Sequence, residues 1–147
     1  MTVWLLDVNV LIALVDSAHT HHASALSWFE RQKSERWATC PITENGFVRV
    51  LSDRKYPNLS LSPGQAAGVL DRLKLGRAGT HEWWPDEVSI TDRALFQSEA
   101  LLSSRQVTDA YLLGLAFRKG GRVVSFDRGL PWRAVRGGSA DLSHTIE

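Results

Sequence analysis

Cysteine is nearly absent from this chain: Cys40 is the single one in 147 residues. No intrachain disulfide can form, which favours a reducing compartment and a cytoplasmic location. Its setting, Trp37-Ala38-Thr39-Cys40, reads as a small buried hydrophobe rather than a catalytic thiol. Long hydrophobic runs are missing too. No apolar stretch approaches the roughly 20 residues of a membrane span, and Asp7 follows Met1 with no basic segment between them, so neither a membrane anchor nor a signal peptide is expected. Nor is there an excess of charge: 17 Lys and Arg stand against 16 Asp and Glu, a net charge of +1. Contact with a polyanion must therefore come from local patches rather than a global field. Histidine is scarce and scattered. His19, His21 and His22 bunch together while His81 and His144 lie far off, which gives no support to a zinc site. Internal repeats and low-complexity segments are absent.

What remains is an ordinary globular mixture, 44% hydrophobic and 22% charged, long enough for one domain, residues 1–147, with a sizeable core. Val3 to Leu6 form a short continuous apolar run, as suits a strand buried on both faces of a parallel sheet. A short helix over Asn9 to Val15 and an amphipathic one over Ala23 to Ser34 follow. Trp37 to Cys40 make a second strand, stopped by Pro41. Thr43 then caps a helix running to about Asp53, and another extends from near Pro63 to about Leu75, ended by Gly76 and Gly79. Thr80 to Trp84 read as a short strand or connector, Asp92 to Leu102 as a helix, and Val107 to Arg118 as a helix closed by Gly120-Gly121. Arg122 to Phe126 form the next strand, with a last one near Leu142 to Ile146. Strands alternating with helices predict an α/β fold: a mostly parallel sheet of four to five strands flanked by helices in three layers.

Four acids occupy the ends of these elements. Asp7 and Asp127 close strands; Glu44 and Asp109 open helices. In a parallel sheet these ends share one edge, where ligands bind. Period two puts Asp7 with Val3 and Leu5, and Asp127 with Val123 and Ser125. Helical spacing puts Glu44 with Val48 and Leu51, and Asp109 with Leu112, Leu113 and Ala116. Each acid alone has a plainer role. A first-turn acid offsets the helix macrodipole, and Asp127-Arg128-Gly129 suits a turn. Asp7, inside Leu-Leu-Asp-Val-Asn-Val-Leu-Ile, is an uncompensated buried charge unless it has a partner. Gathered together, four carboxylates repel, and without a cation at least one takes up a proton. Hard carboxylate oxygens suit Mg²⁺ or Mn²⁺, and two such ions would leave a neutral site able to accept a phosphate.

The stretch Leu5 to Ile12 resembles the opening of PIN-domain ribonucleases. Glu44 with Phe47 to Leu51, Thr108-Asp109-Ala110-Tyr111-Leu112, and Ser125 to Leu130 resemble that family's later acidic motifs, in order. Together with His81-Glu82-Trp83-Trp84-Pro85-Asp86, they are similar to the VapC toxins of bacterial type II toxin–antitoxin modules. The resemblance implies a PIN-like domain and a Mg²⁺- or Mn²⁺-dependent endoribonuclease. By the same likeness Asp7, Glu44, Asp109 and Asp127 form the catalytic and metal-binding quartet, with Asn9, Thr108 and Ser125 as supporting hydrogen-bonding groups. It further implies RNA as substrate, a homodimer, and a cognate antitoxin that lays a segment across the site.

In such a site a metal-activated water attacks phosphorus in line, which predicts a 5′-phosphate product. Arg49, Arg54, Lys55, Arg72, Lys74, Arg77, Arg128, Arg133 and Arg136 are available to RNA or are simply a solvated face, with Arg128 best placed for phosphate. Trp83, Trp84 and Trp132 are candidates to stack bases; Trp4 and Trp28 belong to the core. A phosphatase of the haloacid-dehalogenase kind needs Asp-x-Asp, and Asp7-Val8-Asn9 lacks the second acid. A non-catalytic module on the same fold usually loses acids that are all kept here.

Overall fold

The computed structural model describes residues 2–76 and 80–147. Gly79, expected near the end of a helix, and Arg77, counted among the basic residues, lie outside the described residues. In chain order the elements are β1 (Val3–Leu6), α1 (Val8–Val15), α2 (His22–Arg31), β2 (Arg36–Thr39), α3 (Pro41–Leu51), α4 (Pro63–Leu75), β3 (His81–Trp83), α5 (Val107–Lys119), β4 (Arg122–Ser125) and β5 (Ser143–Thr145), with short 3-10 turns between. The five strands form one sheet in the order β3-β2-β1-β4-β5. Every neighbouring pair is parallel: Trp4 lies beside Trp37 on one side and Arg122 on the other. The expected α/β sheet with helices on its faces is the one observed.

Alternation along the strands sends side chains to two cores. Trp4, Leu6 and Val124 pack with α1 to α4, among Val10, Leu11, Trp28 and Phe47. Leu5, Ala38 and Val123 face the other way, onto Leu112, Leu113 and Leu115 of α5 and onto Leu95, Phe96 and Trp84. β1 is buried on both faces because it lies at the centre of the sheet, which explains its unbroken apolar run. At the far end of α1 the buried Asp16 accepts bonds from Tyr56 Oη, from Asn58 Nδ2 at 2.8 Å and from the Ala18 amide at 3.0 Å, tying the loop after α3 to the core.

Two expectations are corrected. The cap of α3 is Cys40, not Thr43. Pro41 begins the helix as well as ending the strand, since its fixed φ suits the first helical position. Thr43 sits a turn further in, where its Oγ1 accepts from the Cys40 amide at 3.0 Å. The helix expected over Asp92 to Leu102 is absent. Asp92 instead organises a turn through its Oδ1, which accepts from the Ala94 amide at 2.9 Å. Phe96 then pairs antiparallel with Val135, and only Ser98–Ala100 forms a single 3-10 turn. The amides of Leu95 and Phe96 both donate to the Asp92 carbonyl, at 3.1 and 2.9 Å, so the chain closes a single turn there before Phe96 turns into its bridge with Val135.

Gly114 of α5 is where that segment meets the helix. A Cβ there would lie 2.2 Å from the Phe96 ring tip. Gly114→Ala is therefore expected to lower stability by about 1–3 kcal/mol through overpacking, measured as a reduced urea midpoint with an unchanged slope.

Candidate active site

The order of the strands creates the site. The chain runs outward from β1 to β2 and β3, then returns to the opposite side of β1 as β4. Between β1 and β4 the sheet therefore has its topological switch point, and in open α/β sheets the strand C-termini at that point are where ligands bind. Asp7 follows β1 directly. Its backbone amide continues the ladder by donating to the Val124 carbonyl at 3.0 Å, and its side chain caps α1 by accepting from the Val8 amide at 2.8 Å.

Ser125, the last residue of β4 and fully buried, connects the two strand ends. Its hydroxyl donates to Asp7 Oδ2 at 2.8 Å and accepts from Asn9 Nδ2 at 3.1 Å and from the Asp127 amide at 3.0 Å. One hydroxyl thus uses its single donor and both acceptor positions. Asn9 Oδ1 in turn accepts from the Phe126 amide at 3.3 Å. Asp7, Asn9 and Ser125, with the backbone of Asp127, form one network. Thr108 lies apart: it is exposed and makes no side-chain hydrogen bond among the described residues.

Asp109 enters from the first turn of α5. Half-buried, it has no hydrogen-bond donor or cation among the described residues. Burial, then the charges of Asp7 and Asp127, push its carboxyl up to about 6. Burial is also the main influence raising Asp7, against the lowering bonds from Ser125 and Val8, with Asp127 adding repulsion. Asp7, Asp109 and Asp127 thus share one electrostatic environment with unbalanced negative charge.

Glu44 is held differently. From the first turn of α3 it accepts from Thr39 Oγ1 at 2.7 Å and from Lys74 Nζ of α4 at 2.9 Å. Thr39 Oγ1 lies 2.8 Å from His81 Nε2. Because the threonine proton goes to Glu44, His81 must donate through Nε2. Burial, then Lys74, lower this imidazole to about 4, so it is neutral near pH 7. Sequence reading missed Lys74, Thr39 and His81 as partners of Glu44. The pairing of β2 with β3 and the packing of α3 on α4 bring them together, and no local motif records either.

The donor chemistry fits a divalent cation: hard oxygens, excess negative charge, and an Asp109 carboxylate with no other partner among the described residues. Among the described residues, no group of three or more His, Cys, Asp or Glu side chains forms a ready-made metal cage. Binding would require the aspartates to draw together, with cation attraction replacing their repulsion. Of the tryptophans expected to meet RNA, Trp84 is buried with its Nε1 bonded to Glu82 at 3.0 Å and is excluded; Trp83 is exposed and Trp132 partly so.

The family model for the PIN domain matches residues 4–136. The chain belongs to the PIN-domain family. This PIN domain is 45% identical to ribonuclease VapC44 of Mycobacterium tuberculosis, over 97% of this chain and 98% of that protein. It is 44% identical to ribonuclease VapC39 of the same organism, over 90% and 94%. Among solved structures, VapBC2 from Rickettsia felis bound to a promoter DNA fragment superposes with a TM-score of 0.65 at 12% identity, over 99% of this chain and 100% of that one. VapC20 of Mycobacterium tuberculosis, a sarcin-ricin-loop-cleaving toxin, gives 0.61 at 14%, over 90% and 95%. At such identities the superpositions establish the PIN fold alone. No described helix of this PIN domain is long and apolar enough to cross a membrane.

The raised carboxyls fix the sign of a pH effect. Between the ordinary carboxylate range near 4 and the value of about 6 at Asp109, the folded state holds more protons than the unfolded one. The contribution of Asp109 to stability therefore falls as pH rises through this window. His81, held near 4 when folded, acts in the opposite sense over the same window, so the Asp109 effect is read as a difference: in a chelator Asp109→Asn is expected to raise the melting temperature over wild type more at pH 7 than at pH 4. Melts at several pH values of both proteins check this.

Proposed function

We propose that this chain is an endoribonuclease of the VapC type, dependent on Mg²⁺ or Mn²⁺ and restrained by a cognate antitoxin. The observation that carries the reading is the meeting of carboxylates at the sheet's switch point, where Asp109, with no donor among the described residues, is pushed up by burial and by Asp7 and Asp127. Support also comes from relatives named ribonucleases that are 45% and 44% identical.

Asp7, Asp109 and Asp127 would hold the ion, with Glu44 joining from the other side of β1 once released from Lys74. When bound, the ion supplies Lewis acidity, lowering the pKa of water and neutralising phosphate charge. The rest is done by the chain. Ser125 and Asn9 fix the rotamer of Asp7 and the course of residues 125–127, so the carboxylates are oriented before substrate arrives. Arg128, directly after Asp127, offers an exposed guanidinium to a phosphate. RNA cut in this way carries a 5′-phosphate end.

Two associations complete the proposal. Leu26, Leu75 and Phe117 are large apolar side chains left substantially exposed, as expected of surfaces covered by a partner. A second copy and an antitoxin are the partners the family likeness suggests. Two of the structural neighbours are VapBC assemblies on DNA.

Asp7→Asn and Asp109→Asn are each expected to remove cleavage by more than about a hundredfold, while Ser125→Ala loses about 10- to 100-fold, as for groups that orient a ligand. Metal-dependent cleavage assays on total RNA, with end-group analysis, measure this. Full activity in either aspartate variant, or cyclic phosphate ends, would defeat the assignment. Mg²⁺ should also raise the melting temperature of the wild-type protein and not of Asp109→Asn.

A further inference from the structure

Beside the aspartates lies a groove of about 400 Å³ whose lining includes Leu102, Gln106, Arg128, Leu130, Trp132 and Arg133. It shares two elements with the site. Arg128 directly follows Asp127, and Gln106 precedes the first turn of α5, which carries Asp109. No acid lines the groove and two arginines do, so its charge is opposite to that of the carboxylate crevice next to it.

Its floor is built for flat ligands. The Arg133 guanidinium lies over the Trp132 ring, 4.3 Å from the centroid, making a planar cationic platform. That platform is pinned from behind. Gln97 donates through Nε2 to the Arg133 carbonyl at 2.5 Å and through its amide to the Ala134 carbonyl at 2.8 Å, and the neighbouring Phe96–Val135 bridge anchors the segment in the core. Leu102, 89% exposed, forms an apolar rim. The Arg128 side chain is 79% exposed and meets only Glu147, at 3.7 Å.

We propose that this groove takes a splayed nucleobase of single-stranded RNA next to the scissile phosphate, stacked on the Trp132–Arg133 platform, with Arg128 on an adjoining phosphate. The inference rests on the RNA-cleaving reading and adds a base-recognition subsite to it. Single-stranded bases are held by aromatic rings and guanidinium planes. The charge pattern suits a nucleotide: anionic phosphate near the arginines, and its scissile neighbour at a cation held by the aspartates. A second copy fits less well. A two-fold contact centred on this groove would set arginines of one chain against the same arginines of the other.

The test measures binding of a short, labelled single-stranded RNA of mixed sequence and of the same strand with abasic riboses throughout, using the full-length protein in EDTA. Wild type is expected to prefer the RNA with bases by roughly tenfold, the affinity equivalent of one stacked base. Trp132→Ala should erase that preference and Trp132→Phe retain most of it. Leu102→Ala, at an exposed position that folding tolerates, should reduce it. Arg128→Ala should weaken both strands alike and lower the salt dependence. Equal binding of both strands by wild type, or an unchanged ratio in folded Trp132→Ala and Leu102→Ala, overturns the proposal. So does an unchanged ratio with loss of a dimer in sedimentation, which would make this face an interface between copies. The RNA-cleaving reading fails separately, if wild type with Mg²⁺ cuts no RNA.

Discussion

The hydroxyl of Ser125 holds the centre of this molecule together. It joins β1 to β4 at the one place where the sheet reverses its order. With one donated and two accepted bonds, to Asp7, Asn9 and the Asp127 amide, it has no capacity to spare. Asp7 is buried only because Ser125 and the Val8 amide compensate its charge. Without them the desolvation of that carboxylate would oppose the packing of β1 itself.

From that junction the two halves of the acidic group take different courses. On the α5 and β4 side Asp109 is half-buried with no donor or cation among the described residues, and Asp127 is open to solvent. Glu44 lies across β1, where Lys74 neutralises it. Burial thus strains Asp7 and Asp109, while the ion pair with Lys74 satisfies Glu44. A divalent cation beside these aspartates would offset their charge, whereas recruiting Glu44 also means breaking a contact with Lys74. In the proposed enzyme that difference separates the acids that hold an ion from one that adjusts it. Lost stability in the ion-free state accompanies the arrangement, as is common where function needs like charges held close.

Much of this was legible in the sequence because it is encoded locally. The apolar run before Asp7, the alternation before Asp127, and the helix-opening positions of Glu44 and Asp109 each follow from a few adjacent residues. The parallel sheet followed from their alternation. What the sequence did not disclose depends on distant pairings. Lys74 reaches Glu44 only because α4 packs on α3, and His81 reaches Thr39 only through the β2–β3 pairing. Thr108 resembles a supporting residue by adjacency to Asp109, yet helix geometry turns it to solvent. Thr43 looked like a cap because threonine often is one, but Pro41 two residues earlier had already begun the helix. The turn at Asp92 and the bridge at Phe96 passed for a helix, since the antiparallel partner of Phe96, Val135, lies far along the chain.

The bond from Ser125 to Asp7 spans 118 residues of sequence. Bonds this far apart form late, after the intervening chain has collapsed. During synthesis the ribosome releases Asp7 long before Ser125, so a growing chain carries the first carboxylate without the strand that orients it. Partly made or partly unfolded chains therefore lack the assembled crevice. A cell making such a protein meets the complete site only when the final strands have docked.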